Sequence, residues 1–239
     1  MTSTKTDISG TKKAPERVSP VESDFLESEI SGVPHSENSD FAPYSGRKLG
    51  VFSIIFGFVG LFASWELATE YIKKLKNPGH TLNCDFSILV TCGPNMDSWQ
   101  GSLFGFSNTI IGLAAFMAPI IVGVALLGGS RFSPVFWWLY QIGLTGGWAF
   151  VMWLSWQSVF ALHTLCPWCM VVWTITIPLF WSTLAHAGRH GLFGAGIPGA
   201  PFQGLRNWLW IVILFNYLLI AAYAQVGVDW LHHLRRAFF

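Results

Sequence analysis

The chain has 239 residues, of which 52% are hydrophobic and only 11% charged, with 20 Phe, 13 Trp and a formal net charge of +1. That near-neutral balance argues against a nucleic-acid partner, and a soluble domain would carry about 25% charged residues. Eight of the thirteen acidic residues precede residue 47, so a polar segment leads into an apolar body, the pattern of an integral membrane protein with a solvated extension.

In chain order, residues 1–46 come first, rich in Ser, Pro, Glu, Asp and Thr. They offer too little apolar surface to offset chain entropy, which predicts a disordered tail. Its start, "MTSTKTDISGTKKAPERVSP", has no apolar core behind its lysines, unlike a secretory signal, so the first membrane helix is expected to direct insertion. Five apolar spans follow, each near the ~20 residues a helix needs to cross a bilayer. They run from about Gly50 to Tyr71, Leu103 to Leu127, Val135 to Leu162, Cys166 to Ala187, and Trp208 to Val226. The pattern predicts an all-α membrane protein, since helices satisfy their own backbone hydrogen bonds in lipid. Short Gly/Pro-rich turns, "GGSRFSP" and "GRHGLFGAGIPGAPFQG", separate spans two from three and four from five.

The loop between spans one and two, residues 72–102, is long for a compact bundle, and such loops are often functional. It holds Cys84 and Cys92; the other two cysteines, Cys166 and Cys169, open span four. Two spans lie between the pairs, which places all four cysteines on one side of the membrane. Lys and Arg near the span ends divide five against five. Lys12, Lys13 and Arg17, together with the persistence of disulfides on the oxidising side, favour a cytoplasmic N-terminus and extracytoplasmic cysteines.

In "TLCPWCMVVW", Pro167 suits the first helical position, which makes Cys166 an N-cap and puts Cys169 in the first turn. The exposed N–H groups and positive dipole end there favour a thiolate, the form that attacks in disulfide exchange. A c-type haem would need His after the second cysteine, where Met170 stands. Zinc would need Cys84 and Cys92 as further ligands, at an uncommon spacing. His163 could be a ligand or proton donor, and is more often an interfacial histidine. Structural disulfides are the main bland alternative, but Cys-x-x-Cys closes too small a loop to be a useful staple. Intramembrane acids are absent beyond Glu66 and Glu70 near one end, which disfavours an ion transporter. Two pairs on one face suggest a relay: in at Cys84, from Cys92 to Cys166, and out at Cys169. In this reading Cys84 lies on the solvated side of the loop, within reach of a soluble protein.

Four features resemble the vitamin K epoxide reductase family, in its bacterial disulfide-forming branch: "NCDFSILVTC", Ser98 six residues after Cys92, "SLFGFSNTIIGL", and "CPWCMVVW". The resemblance covers about residues 48 to 190. It implies a four-helix catalytic bundle over 47–190 around a quinone, capped by the cysteine loop, with the bacterial extra helix within 191–239. It also implies that Cys166 and Cys169 are the active couple, with Cys169 facing the quinone, that Cys84 and Cys92 shuttle electrons, and that Ser98 assists. The cofactor would be menaquinone or ubiquinone, held by Cys169, Trp173, Gln100, Phe104 and Asn108. The partner would be a separately encoded DsbA-like protein, in a bacterial plasma membrane. Two positions depart from the better-known relatives: Gly101 replaces a quinone-binding asparagine, and Trp173 a tyrosine. Gln100 or Asn108 could take over head-group bonding, or either could be a satisfied polar residue between helices. A DsbB-type oxidase carries its Cys-x-x-Cys couple in the first outer loop instead, opposite to the order here.

Overall fold

The computed structural model describes residues 46–79, 81–85, 90–194 and 200–229. The predicted tail therefore lies, apart from Gly46, outside the described residues, as do parts of the linker and the C-terminal end. The elements are α1 (Arg47–Lys76), α2 (Gly93–Asp97), a 3-10 turn (Trp99–Ser102), α3 (Asn108–Leu127), α4 (Pro134–Phe160), α5 (Pro167–Arg189), α6 (Ala200–Asn207) and α7 (Leu209–Val228). Among the described residues there is no strand, only an isolated bridge between Val90 and Leu165. The protein is an all-α membrane protein. Helices α1, α3, α5 and α7 are long and apolar enough to cross a bilayer. The fifth long helix, α4, has 27 residues and no charged side chain, and its apolarity comes largely from Trp and Phe.

The helix ends follow local chemistry. Ser107 accepts the Thr109 N–H at the start of α3 and Ser133 accepts the Phe136 N–H ahead of Pro134 on α4, each satisfying a donor the helix leaves free. Helix α1 runs longer than its apolar span because Lys73, Lys74 and Lys76 occupy its last turn, where cations complement the dipole. The 128–133 turn closes with Gly129 at φ +80°, a conformation that glycine enters without strain.

Helix α1 packs along its length on α3 and also meets α5; α5 packs on α4, and α7 lies against both α4 and α5. The α1–α3 seam is built from small residues. A Cβ on Gly123 would come within 2.6 Å of the Gly50 carbonyl, and one on Gly57 within 2.6 Å of Ile120. Close backbone approach of this kind is how helices associate where lipid is as apolar as the side chains. Consecutive helices α3 and α4, by contrast, scarcely touch. Leu49, Val122, Leu126, Trp137 and Ala187 form an apolar plug at the end of the bundle away from the cysteines.

Candidate functional site

The site begins at the end of α1. Glu70, almost fully buried, accepts the Asn83 backbone N–H on Oε2 at 3.2 Å and the Asn83 side-chain amide on Oε1 at 3.2 Å; Lys73 pairs with Oε1 at 2.8 Å. This pins the chain immediately before Cys84. A charge so buried is tolerable because each of these contacts is a charge-assisted hydrogen bond. Cys84 and Cys92 form a disulfide. Beyond them, the Thr91 N–H donates to the Leu165 carbonyl at 3.2 Å, which lays the Cys92 segment beside the start of α5. The Cys92 and Cys166 sulfurs are 3.4 Å apart.

The sequence reading leaves Cys84 open to solvent; in the structure Cys84, Cys92 and Cys166 are 1%, 0% and 0% exposed. The reason is hydrophobic: Leu82, the disulfide and Met96 fold onto Leu67 and Tyr71 of α1, under Trp168. The loop is a cap with its own small core.

Cys166 is the N-cap of α5, just before the spanning segment, with Pro167 in the first helical position. A hydrogen bond from the Cys169 thiol, then the N–H groups of Cys169 and Trp168, pull the Cys166 thiol below its ordinary range; burial and the negative charge of Asp85 oppose them. The net shift is toward easier ionisation at the residue that faces the disulfide.

Cys169 lies on the wall of a cavity of about 490 Å³, which Cys92 and Cys166 also reach. The cavity fills the gap between α3 and α4, floored by α5. On α4 its wall runs from Leu139 to Ser158, a rise of ~28 Å at 1.5 Å per residue, close to the ~30 Å hydrocarbon core. Gly143 and Gly147 lie on this wall with nothing within 4 Å of an added Cβ. The lining is mostly apolar, with polar groups gathered near the cysteines.

Those polar groups include several predicted residues. Ser98, Gln100, Asn108 and Trp173 all line the cavity. Ser98 caps the 3-10 turn, its Oγ accepting the Gly101 N–H at 3.1 Å and donating to the Asn95 carbonyl at 2.9 Å. The Asn108 amide donates to the Gln100 carbonyl at 2.6 Å, which leaves Oδ1 as its acceptor end, buried and without a hydrogen-bond partner. Gln100 donates to Gln157 at 3.4 Å. Phe104 is not on the cavity wall: the residue is 59% exposed, its ring beside Phe106 and Phe150, because the turn after the 3-10 segment directs it outward. Gly101 has a steric explanation, since a Cβ there would sit 2.1 Å from the Asn95 carbonyl. An asparagine at that position does not fit this loop.

Sequence reasoning missed the residues that hold the cap. Asn95 donates to Thr164 at 3.2 Å and accepts from Ser158 at 2.8 Å, tying α2 to the end of α4. Asp85 accepts the Cys92 N–H at 2.9 Å. Their proximity in sequence to Cys84 and Cys92 is the signal that could have drawn attention to them.

Disulfide exchange handed from a capping loop to a helix-start thiol beside a lipid-length cavity is the chemistry of a membrane thiol–disulfide oxidoreductase. The sequence pattern of the vitamin K epoxide reductase family matches residues 51–184, more than half of the chain, and the chain belongs to that family. Its members are generally linked to quinones and typically work with thioredoxin-like partners. No curated protein matches the chain.

Proposed function

We propose that this protein is a quinone-dependent thiol oxidase that reoxidises a DsbA-like thioredoxin-fold protein, driving disulfide formation in exported proteins. The observation that carries this reading is the 3.4 Å contact between Cys92 of the loop disulfide and Cys166 of a Cys-x-x-Cys pair whose second cysteine lines the cavity. The partner's thiolate attacks the Cys84–Cys92 bond, forming one S–S bond as it breaks another. Resolution of that mixed disulfide leaves the partner oxidised and the loop pair as two thiols. Cys92 then exchanges with an oxidised Cys166–Cys169 pair, which becomes the reduced couple, and Cys169 faces the acceptor. Burial of Cys84 among Leu82, Met96 and Leu67 means that a protein partner engages it only when this cap opens.

The cavity's chemistry fits a quinone: a narrow apolar wall of bilayer length, a cysteine, and a buried Asn108 oxygen lacking a partner. Bound there, a menaquinone or ubiquinone supplies a two-electron, two-proton acceptor. Gln100, Asn108 and Trp173 would hold its ring, and the Gly143–Gly147 side of α4 its chain. Ser98 acts through the loop, as the cap that shapes the turn beside Cys92. We place the protein in a bacterial plasma membrane with the cysteines outside and the N-terminus in the cytoplasm. Residues 47–190 are the catalytic unit.

The test is quinone reduction by a reduced DsbA-like protein in detergent or liposomes. Cys166→Ala and Cys169→Ala are each expected to abolish turnover, and wild-type rates in either would overturn the reading. Cys84→Ala should cost more with the protein partner than with a small dithiol; equal losses would remove the shuttle role.

A further inference from the structure

The loop between Cys84 and Cys92 is closed twice. The disulfide closes it covalently. One residue further on, Asp85 Oδ1 accepts the Cys92 backbone N–H at 2.9 Å and also the hydroxyl of Thr91. The two closures join almost the same chain positions, 84 with 92 and 85 with 91–92. They differ in one respect: the disulfide opens in every catalytic cycle of the proposed relay, and hydrogen bonds to a carboxylate need not.

Closing a loop costs entropy, and a second link between the same ends is formed with that cost already met. Hydrogen bonds to a charged acceptor are among the strong ones, and they persist without any covalent link. A carboxylate clamp across the neck therefore keeps the two loop sulfurs near one another after their bond opens. The clamp also lies next to the contacts that dock Cys92 on α5, the Thr91 N–H on the Leu165 carbonyl and the Val90–Leu165 bridge. On the other side, Asn83 is held by Glu70. Asp85 thus links these two anchored stretches by hydrogen bonds, beside the disulfide.

We propose that Asp85 is a positioning residue of the relay: its carboxylate holds the Cys92 amide and the Thr91 hydroxyl so that Cys92 stays in reach of both Cys84 and Cys166 while the loop disulfide is open. The role in electron transfer rests on the function proposed above; the clamp itself does not. Asp85 acts through the backbone that carries Cys92, whose N–H it accepts.

Two cysteine backgrounds separate the clamp from the relay. In Cys166→Ala/Cys169→Ala protein only the loop pair remains. It is equilibrated with glutathione, two glutathione thiols forming glutathione disulfide as the loop disulfide becomes two thiols, and the mixture is trapped by alkylation. Asp85→Ala is expected to shift this equilibrium toward the dithiol about tenfold, because closing the disulfide then bears the loop-closure entropy that the clamp otherwise meets in the dithiol state. Asp85→Asn keeps an oxygen acceptor of the same shape and should recover most of that shift, which also guards against a folding defect in the alanine variant. An equilibrium in Asp85→Ala within about twofold of the parent, far short of that closure cost, overturns the proposal. In Cys84→Ala/Cys169→Ala protein, the same titration reads the Cys92–Cys166 pair. A weakened pair in Asp85→Ala extends the clamp to the relay step. If this pair forms no disulfide even with Asp85 intact, the relay reading fails while the first background still judges the clamp.

Discussion

Glycine does opposite work on the two sides of α3. Toward α1, Gly50, Gly57, Gly60 and Gly123 let backbones and rings meet so closely that an added Cβ would lie 2.4–2.9 Å from a neighbouring atom. Toward α4, Gly143 and Gly147 face nothing within 4 Å, and the space they leave belongs to the cavity. One seam uses small residues to exclude lipid, the other to admit a ligand. The difference is not in residue type but in what lies opposite: α1 and α3 share a packed interface, while α4 is held from behind by α5 and α7. Trp148 bonds Asn216 at 3.2 Å, and Ser155 bonds Tyr223, so α7 anchors α4 without help from α3.

The sharpest way to break this contrast is to fill the open side. Gly147→Phe is expected to lower quinone-dependent turnover at least about tenfold, the rate equivalent of ~1.4 kcal/mol, with thermal unfolding unchanged or slightly raised. Unimpaired turnover would show that the cavity is not the acceptor site. Crowding the closed side should do the reverse. Gly123→Leu forces a side chain against the Gly50 carbonyl and is expected to cost about 1–3 kcal/mol of stability, measured by unfolding in micelles. Gly143→Ala serves as its control, expected within about 0.5 kcal/mol of the parent. Among the changes expected to cost stability, the smaller loss concerns the strut. Asn216→Leu should lose about 0.6 kcal/mol, the average of such interhelical bonds in a membrane; a loss of several kcal/mol would mean that α7 carries much more of α4's placement.

Much of the site is legible in the sequence. The cysteine spacings, Pro167 after Cys166 and the long loop name the chemistry, because a helix start and a Cys-x-x-Cys pair are local features. Three points are not legible there. Cys84 reads as solvent-facing because a polar loop gives no hint that Leu82 and Met96 fold it against Leu67. Phe104 reads as a lining residue because its motif lies at the entrance to α3, but the turn before the helix rotates it outward. Gly101 reads as a lost ligand; the Asn95 carbonyl occupies the place of its side chain.

The sequence by itself determined that this is a helical membrane protein carrying two cysteine pairs on one face, because span length, charge segregation and spacing along one chain are enough for that. Tertiary structure alone decided how close Cys92 and Cys166, paired in the sequence reading, come to each other, that Asp85 spans the neck of the loop, and that the space lies between α3 and α4. Those are distances between residues far apart in the chain or folded together by a turn. They depend on which helices pack, and small residues permit packing without dictating which partner fills the gap.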